Sequence, residues 1–269
     1  YNYDETPAKE VTVYVTISND GVPIRGRDGT VLCHKAITVP YFDLGRYNLA
    51  DYYRYHTENG EGKYIDENIV ERPTGLHLYL YLLERYFIGL PEEQCCKGAY
   101  PRDALASFKL GEDVCYMDET PAYTADSFAA LTISGSPTSL YMTNFWGHDE
   151  NLMYYRNHCF PYMSPGWGST SDYIVLSDGD TWDVAMFSNW SFYSSGGAFT
   201  RFDKDEYNAR PGMEMTISSQ AYGTTFEGSD FYPFSNLDVF LYNDKWEQIE
   251  QYKEAADGKS TFSFTAPTE

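Results

Sequence analysis

A set of side chains in the middle of the chain has the types and spacing to hold a sugar. Trp146 precedes His148-Asp149-Glu150-Asn151, so one large ring stands beside several hydrogen-bonding groups. Trp167 lies between Gly166 and Gly168, with little local bulk to bury it. Trp190 opens the stretch Trp190-Ser191-Phe192-Tyr193-Ser194-Ser195-Gly196-Gly197, and Tyr155 and Tyr162 fall between these groups. An aromatic face covers the C–H face of a pyranose, while carboxylate, amide and imidazole groups bond its hydroxyls. Loops on a rigid scaffold are where such groups act. The candidate ligand-binding residues are therefore Trp146, His148, Asp149, Asn151, Tyr155, Tyr162, Trp167, Trp190 and Tyr193.

Catalytic and metal chemistry find less support. The Gly-x-Ser-x-Gly elbow of a hydrolase is absent. Glycoside hydrolysis needs two carboxylates at a set separation, and none of the 40 acids stands in a motif for it. His148, His158 and Cys159 are too loosely spaced for a transition-metal signature. Asp178-Gly179-Asp180 offers hard oxygens to calcium, but Asp-Gly is a favoured turn pair and reads as the tip of a hairpin. Five cysteines (Cys33, Cys95, Cys96, Cys115 and Cys159) fit no Cys-x-x-Cys pattern. The vicinal Cys95-Cys96 with Cys115 allows one disulfide across an irregular loop. His77 has no ligating partner four residues on and reads as a surface histidine. The sequence thus predicts a non-catalytic protein with no metal and no cofactor.

The elements that must position these groups are mostly strands. Val11–Ser18 and Ala36–Val39 carry strand patterns, the second stopped by Pro40. Asp43–Tyr55 reads as a short amphipathic helix or turn, broken by Asn59-Gly60-Glu61-Gly62. Leu76, Leu80, Leu83 and Phe87 recur at helical spacing, so one substantial helix is predicted near 75–90, with Thr74 as N-cap and Pro91 closing it. Pro91–Ala122 reads as irregular. Phe128–Ser134 and Ser139–Thr143 read as strands, and Tyr173–Leu176 with Thr181–Ser188 as a hairpin. Period-two alternation puts Trp182, Val184 and Met186 on one core face. Beyond Tyr207–Gly212 the texture changes, and Met213–Ser219, Leu237–Tyr242 and Ser260–Ala266 read as strands of a small sandwich. Trp246 belongs to its packing or surface.

The 269 residues accommodate one large domain or two modest ones. Nineteen Lys and Arg against 40 Asp and Glu give a formal charge of −21. That field repels phosphate backbones and anionic lipid, so nucleic acid is excluded as a partner, and no segment is apolar enough for membrane insertion. A neutral polysaccharide or oligosaccharide is unhindered. Tyr 26, Phe 16 and Trp 5 suit a β-rich scaffold, most of these rings filling strands.

The segment Asn144–Asp183 resembles the core of the transcobalamin-like β domain, the type that forms the C-terminal part of intrinsic factor. The residues that carry the resemblance are Leu152-Met153-Tyr154-Tyr155-Arg156-Asn157, Gly166-Trp167-Gly168 and Leu176-Ser177-Asp178-Gly179-Asp180. Arg156 stands where the pattern has Val, and the helical barrel that supplies half of a cobalamin site is missing. The resemblance implies an α+β, mainly β, fold: a transcobalamin-like β domain over 1–205, then an immunoglobulin-like β-sandwich module over 206–269, truncated within a longer parent. It also implies a secreted or cell-surface protein, as in gut bacteria, with other surface proteins as further partners. Composition is similar to that of starch-adherence proteins, so α-glucan (starch, malto-oligosaccharides) is the expected ligand. Corrinoid binding, and a spacer or protein adhesin, stay open as alternatives.

Overall fold

Strict alternation of β-branched residues dictates where the first sheet buries its face. Side chains of a strand point alternately to its two sides, and Val11, Val13, Val15 and Ile17 are at most 1% exposed while Thr12, Tyr14, Thr16 and Ser18 remain half-buried. The computed structural model describes residues 6–49, 53–58, 61–69, 71–107, 109–110, 115–121, 128–136, 139–147, 152–159, 162–164, 167–168, 174–187, 199–222, 231–233, 237–253 and 260–268. Strands outweigh helices, 42% against 16%, so the chain is mostly β as expected. It divides into two compact units, Tyr1–Asn189 and Trp190–Glu269.

In the first unit the strands are β1 (Glu10–Asn19), β2 (Val22–Pro23), β3 (Lys35–Pro40), β4 (Tyr53–Glu58) and β5 (Glu61–Ile69). Then come α1 (Gly75–Leu82), α2 (Arg102–Ser107), β6 (Lys109–Leu110), β7 (Phe128–Ala129), β8 (Leu131–Ser136) and β9 (Ser139–Phe145). They are followed by β10 (Leu152–Arg156), β11 (Tyr162–Ser164), β12 (Trp167–Gly168) and β13 (Thr181–Met186). β1 is the hub of a five-stranded mixed sheet. It pairs antiparallel with β3, Val13 opposite Ile37, and parallel with β13, Val15 opposite Trp182. β10 lies antiparallel on the far side of β13, with Tyr154 opposite Val184.

The hairpin expected over 173–188 does not form. Val175 bridges to Thr74, and β13 runs beside β1 and β10 instead. The turn that precedes β13 is captured by β1: Thr12 N–H donates to Asp178 Oδ1 at 2.7 Å, Gly179 N–H to Thr12 O, and Tyr14 N–H to Asp180 O. An Asp-Gly pair marks a turn, but the partner of the following strand is set by these long-range bonds.

The predicted helix forms over 14 residues, Gly75–Ile88, the second part (Leu83–Ile88) widened to π geometry. Gly89 ends it in the left-handed conformation (φ 86°), which glycine adopts without a Cβ penalty. Every residue of α1 is buried, so it is a core helix rather than an amphipathic surface one. Rings tie it to the sheet. Trp182 stacks on Tyr154 (centroids 5.9 Å apart), Tyr79 meets Trp182 edge-on at 5.7 Å, and Phe145, Trp146 and Phe87 continue the contact. Trp182 is a core residue, as expected.

In the second unit lie β14 (Phe199–Phe202), β15 (Glu214–Tyr222), β16 (Phe231–Pro233), β17 (Asp238–Tyr242), β18 (Gln248–Lys253) and β19 (Thr261–Thr265). β15 pairs antiparallel with β14, β16 and β19, and β17 with β18. Ile217, Val239 and Phe262 form its small core. Trp246 is half-buried and its ring tilts against Tyr242.

His77 is a correction to the surface reading: it is fully buried at the third position of α1. Thr74 N–H donates to its Nδ1 at 3.1 Å, so Nδ1 is an acceptor and Nε2–H donates to Phe42 O at 3.0 Å. The histidine takes the part that Glu or Gln plays in a capping box. Burial lowers its pKa from 6.5 to about 4, opposed by the bond to Phe42. The native state therefore binds the neutral ring, while the unfolded chain protonates below about 6.5. Stability is full above that pH and falls as pH drops towards about 4, by about 3 kcal/mol in all. Urea denaturation at pH 7 and pH 4.5 is expected to show this loss, and a smaller one in His77→Asn, whose amide Oδ1 offers the Thr74 N–H an acceptor without the titration. Equal losses in both proteins would refute the assignment.

Candidate functional site

Pro40 ends β3, and the chain that leaves it builds one wall of a cleft of about 320 Å³. Tyr41 and Phe42 form that wall. Asp43 then caps a 3-10 turn, Leu44–Tyr47, by accepting Gly45 N–H at Oδ1 (2.8 Å), which brings Arg46 to the rim. Glu10 and Thr38 arrive from β1 and β3, and Tyr81 from α1. Glu92, Cys95, Cys96 and Lys97 close the opposite side. His77 fixes the aromatic wall: its Nε2 holds Phe42 O, Phe42 lies edge-on at 4.8 Å, and Tyr41 tilts against it at 5.2 Å. Phe42 and Tyr81 are buried, and Tyr41 is half-buried.

The loop opposite is held by a buried carboxylate. Glu84 is 0% exposed at the π-helical part of the helix. It accepts Tyr47 O–H at 2.9 Å and Cys96 N–H at 2.6 Å, with a further backbone bond from Tyr100. Burial nevertheless raises its pKa, more than these bonds lower it. Arg46 donates to Cys96 O at 3.0 Å from the other side. Cys95 and Cys96 are thiols, so neither makes the disulfide with Cys115 that the spacing allowed. Cys95 is pushed up to about 11 by burial and then by Glu84, and burial raises Cys96 further. Both are protonated at neutral pH and are poor nucleophiles. No sequence motif marked this cleft. Its signal was distributed over Pro40-Tyr41-Phe42, an acid inside an apolar helix, and a Cys-Cys pair.

Of the residues predicted for a ligand face, Trp146 is placed in the core. It is 0% exposed, in the left-handed conformation (φ 55°) before Gly147, and its indole is enclosed by Phe87 and Phe145. Tyr155 is 2% exposed, opposite Asp183. Tyr162 and Trp167 fall on the neighbouring strands β11 and β12, with Tyr162 opposite Gly168 and Ser164 opposite Trp167. His148, Asp149, Asn151, Trp190 and Tyr193 lie outside the described residues.

Two of the stretches that carry the sequence resemblance, Leu152–Asn157 and Leu176–Asp180, meet in space. Arg156 Nε lies 2.9 Å from Asp180 Oδ2 with both side chains largely buried. Asn157 Nδ2 donates to Asp180 Oδ1 at 3.0 Å, and Asn157 Oδ1 accepts Thr181 N–H at 2.9 Å. Ser177 N–H completes the shell of Asp180. Asp178 and Asp180 thus serve the turn. On the polar face of the same sheet His158 Nδ1 lies 2.7 Å from Asp183 Oδ2, near Cys33. Burial and then the Asp183 charge push the Cys33 thiol up to about 11, which makes the set a poor thiol-based catalyst.

Among the described residues no group of three His, Cys, Asp or Glu side chains is arranged to hold a metal ion, and no helix is long and apolar enough to cross a membrane. Comparison with protein-family models, with curated proteins and with solved structures gave no match.

Removing one partner of a buried ion pair leaves the other charge uncompensated. Asp180→Asn is therefore expected to lower the unfolding free energy by about 3 kcal/mol, read from urea melts. Adding Arg156→Met to it should recover part of that loss. A double variant no better than the single one would contradict this account of the pair.

Proposed function

We propose that this chain is a non-catalytic, extracellular carbohydrate-binding protein that holds an uncharged glycan, of the α-glucan class, in the Tyr41 cleft. One observation carries the reading: a half-buried tyrosine, Tyr41, lines the cleft together with groups that bond hydroxyls, namely Thr38, Glu10, Glu92, Arg46 and Lys97. The volume is at the small end of ligand sites, which suits a terminal sugar unit rather than a large cofactor. The carboxylates of the cleft accept from the hydroxyls of a sugar ring, and its cations donate to them. Polar orientation and ring stacking are the two parts of sugar recognition. The charge of −21 turns away polyanions and leaves neutral polymers free to approach.

At the level of family, we propose a transcobalamin-like β domain for the first unit and an immunoglobulin-like module for the second. The meeting of Arg156-Asn157 with Asp178-Gly179-Asp180 supports the first. The antiparallel strands around β15 support the second.

Native affinity electrophoresis against starch, glycogen, xylan, β-glucan and mucin is expected to show retardation by the α-glucans. Tyr41→Ala should weaken it about tenfold, the scale of a lost ring contact. If that variant binds fully while Trp167→Ala/Trp190→Ala loses affinity, the glycan site moves to the aromatic loops. Mobility unchanged in every polymer would overturn the reading, and a cobalamin spectral shift in the same sample would replace it with corrinoid binding.

A further inference from the structure

Cys95 and Cys96 are adjacent in sequence, and an extended chain would point them to opposite sides. Here they do not alternate. Cys95 has ordinary extended backbone (φ −67°, ψ 153°), but Cys96 has φ +61°. Moving φ from the extended value near −120° to +61° turns the Cβ by roughly half a revolution about N–Cα. The two Cβ atoms then lie on the same side of their shared peptide, and both residues line the same cleft. A non-glycine residue in this region costs on the order of 1 kcal/mol or more, and persists only where its surroundings enforce it. The enforcing groups are the ones already described: Glu84 Oε2 takes the Cys96 N–H at 2.6 Å and the Arg46 guanidinium takes its carbonyl oxygen at 3.0 Å. Gly98 (φ 75°) lets the chain pass close to Arg46, where a Cβ would come within 3.1 Å of the Arg46 Cβ. A buried carboxylate and a cation thus clamp the two peptide groups on either side of the Cys96 Cα.

We propose that Cys95–Cys96 is a redox-active vicinal dithiol that closes to a disulfide on the wall of the cleft by exchange with a low-molecular-weight organic disulfide. The step balances without a metal. A Cys95 thiolate attacks one sulfur of the reagent RSSR, forming a Cys95–SR mixed disulfide and releasing RS⁻, which takes up the thiol's proton as RSH. The Cys96 thiolate then attacks the Cys95 sulfur, the second RSH leaves, and the S–S bond closes the ring through the intervening peptide. Two protein thiols are oxidised and one organic disulfide is reduced to two thiols.

Backbone placement also decides how durable the bond is. Consecutive Cα atoms are about 3.8 Å apart across a trans peptide, shorter than the usual 4.4–6.8 Å span of a disulfide. A ring closed over that distance is strained, and strained disulfides are the readily reduced, switch-like ones. The raised thiol pKa values make exchange slow at neutral pH and faster in alkaline buffer.

The test treats the full-length reduced protein with oxidised glutathione in alkaline buffer, then alkylates, digests and weighs the peptides. The expected result is loss of two hydrogens from the peptide holding Cys95 and Cys96, with no glutathione adduct and no alkylation until a mild reductant is added. Cys96→Ser should instead keep one glutathione on Cys95, because the resolving thiol is gone. A wild-type protein that retains the adduct there, stays fully alkylatable, or loses its hydrogens through a bridge to Cys33, Cys115 or Cys159 would overturn the proposal. Each readout is independent of glycan binding, so the two readings fail separately.

Discussion

The contact between Trp182 and Tyr79 holds the first unit together. Trp182 sits on a strand with neighbours on both edges, and Tyr79 on a helix with no exposed side. Each ring brings large apolar area out of water, and an edge-on pair adds about 1 kcal/mol beyond that burial. Tyr154 stacks on one side, while Phe145, Trp146 and Phe87 continue the run of rings. Sheet, helix and the β9 segment are thereby locked to one another. Much of the aromatic content that suggests ligand binding is committed to this task.

Polar groups then place the cleft on that frame. His77, Glu84 and Asp180 are buried, and each is satisfied by backbone or side-chain partners brought from distant parts of the sequence. A buried polar group without such partners costs free energy, so each one specifies its neighbours. His77 specifies the Tyr41–Phe42 wall, Glu84 the Cys95–Cys96 loop, and Asp180 the junction of β10 with β13. The two walls of the cleft hang on two residues of one helix. Its shape is therefore coupled to helix packing, and the strain at Cys96 is sustained by the same anchors.

The strand β1 was legible because a half-buried strand must alternate, and Val11 to Ile17 alternates cleanly. The helix was legible from apolar spacing, and its N-cap from Thr74. The strands β3, β8, β9, β15, β17 and β19 were legible from short β-branched and aromatic runs between turn residues. The pairing of β13 was not, because nothing local separates a hairpin turn from one captured by another strand. The candidate site was legible only as chemistry. Trp146 was read for its polar neighbours, yet a left-handed backbone at that residue turns the ring inward. His77 was read for a missing ligand partner, when its partners are the Phe42 carbonyl and Thr74.

Sequence by itself determined the local preferences: a β-rich chain, one helix with its cap, a strongly acidic surface, and a supply of rings and thiols. These follow from side-chain periodicity, backbone freedom and charge, which need no knowledge of what lies far along the chain. Tertiary structure decided which rings are spent on packing, which edge β13 joins, and how Tyr41, Arg46, Tyr81 and the Cys95–Cys96 pair come to share one cleft. Those outcomes depend on contacts between residues tens of positions apart. Such contacts form only when burial of the whole core offsets the conformational entropy lost in making them.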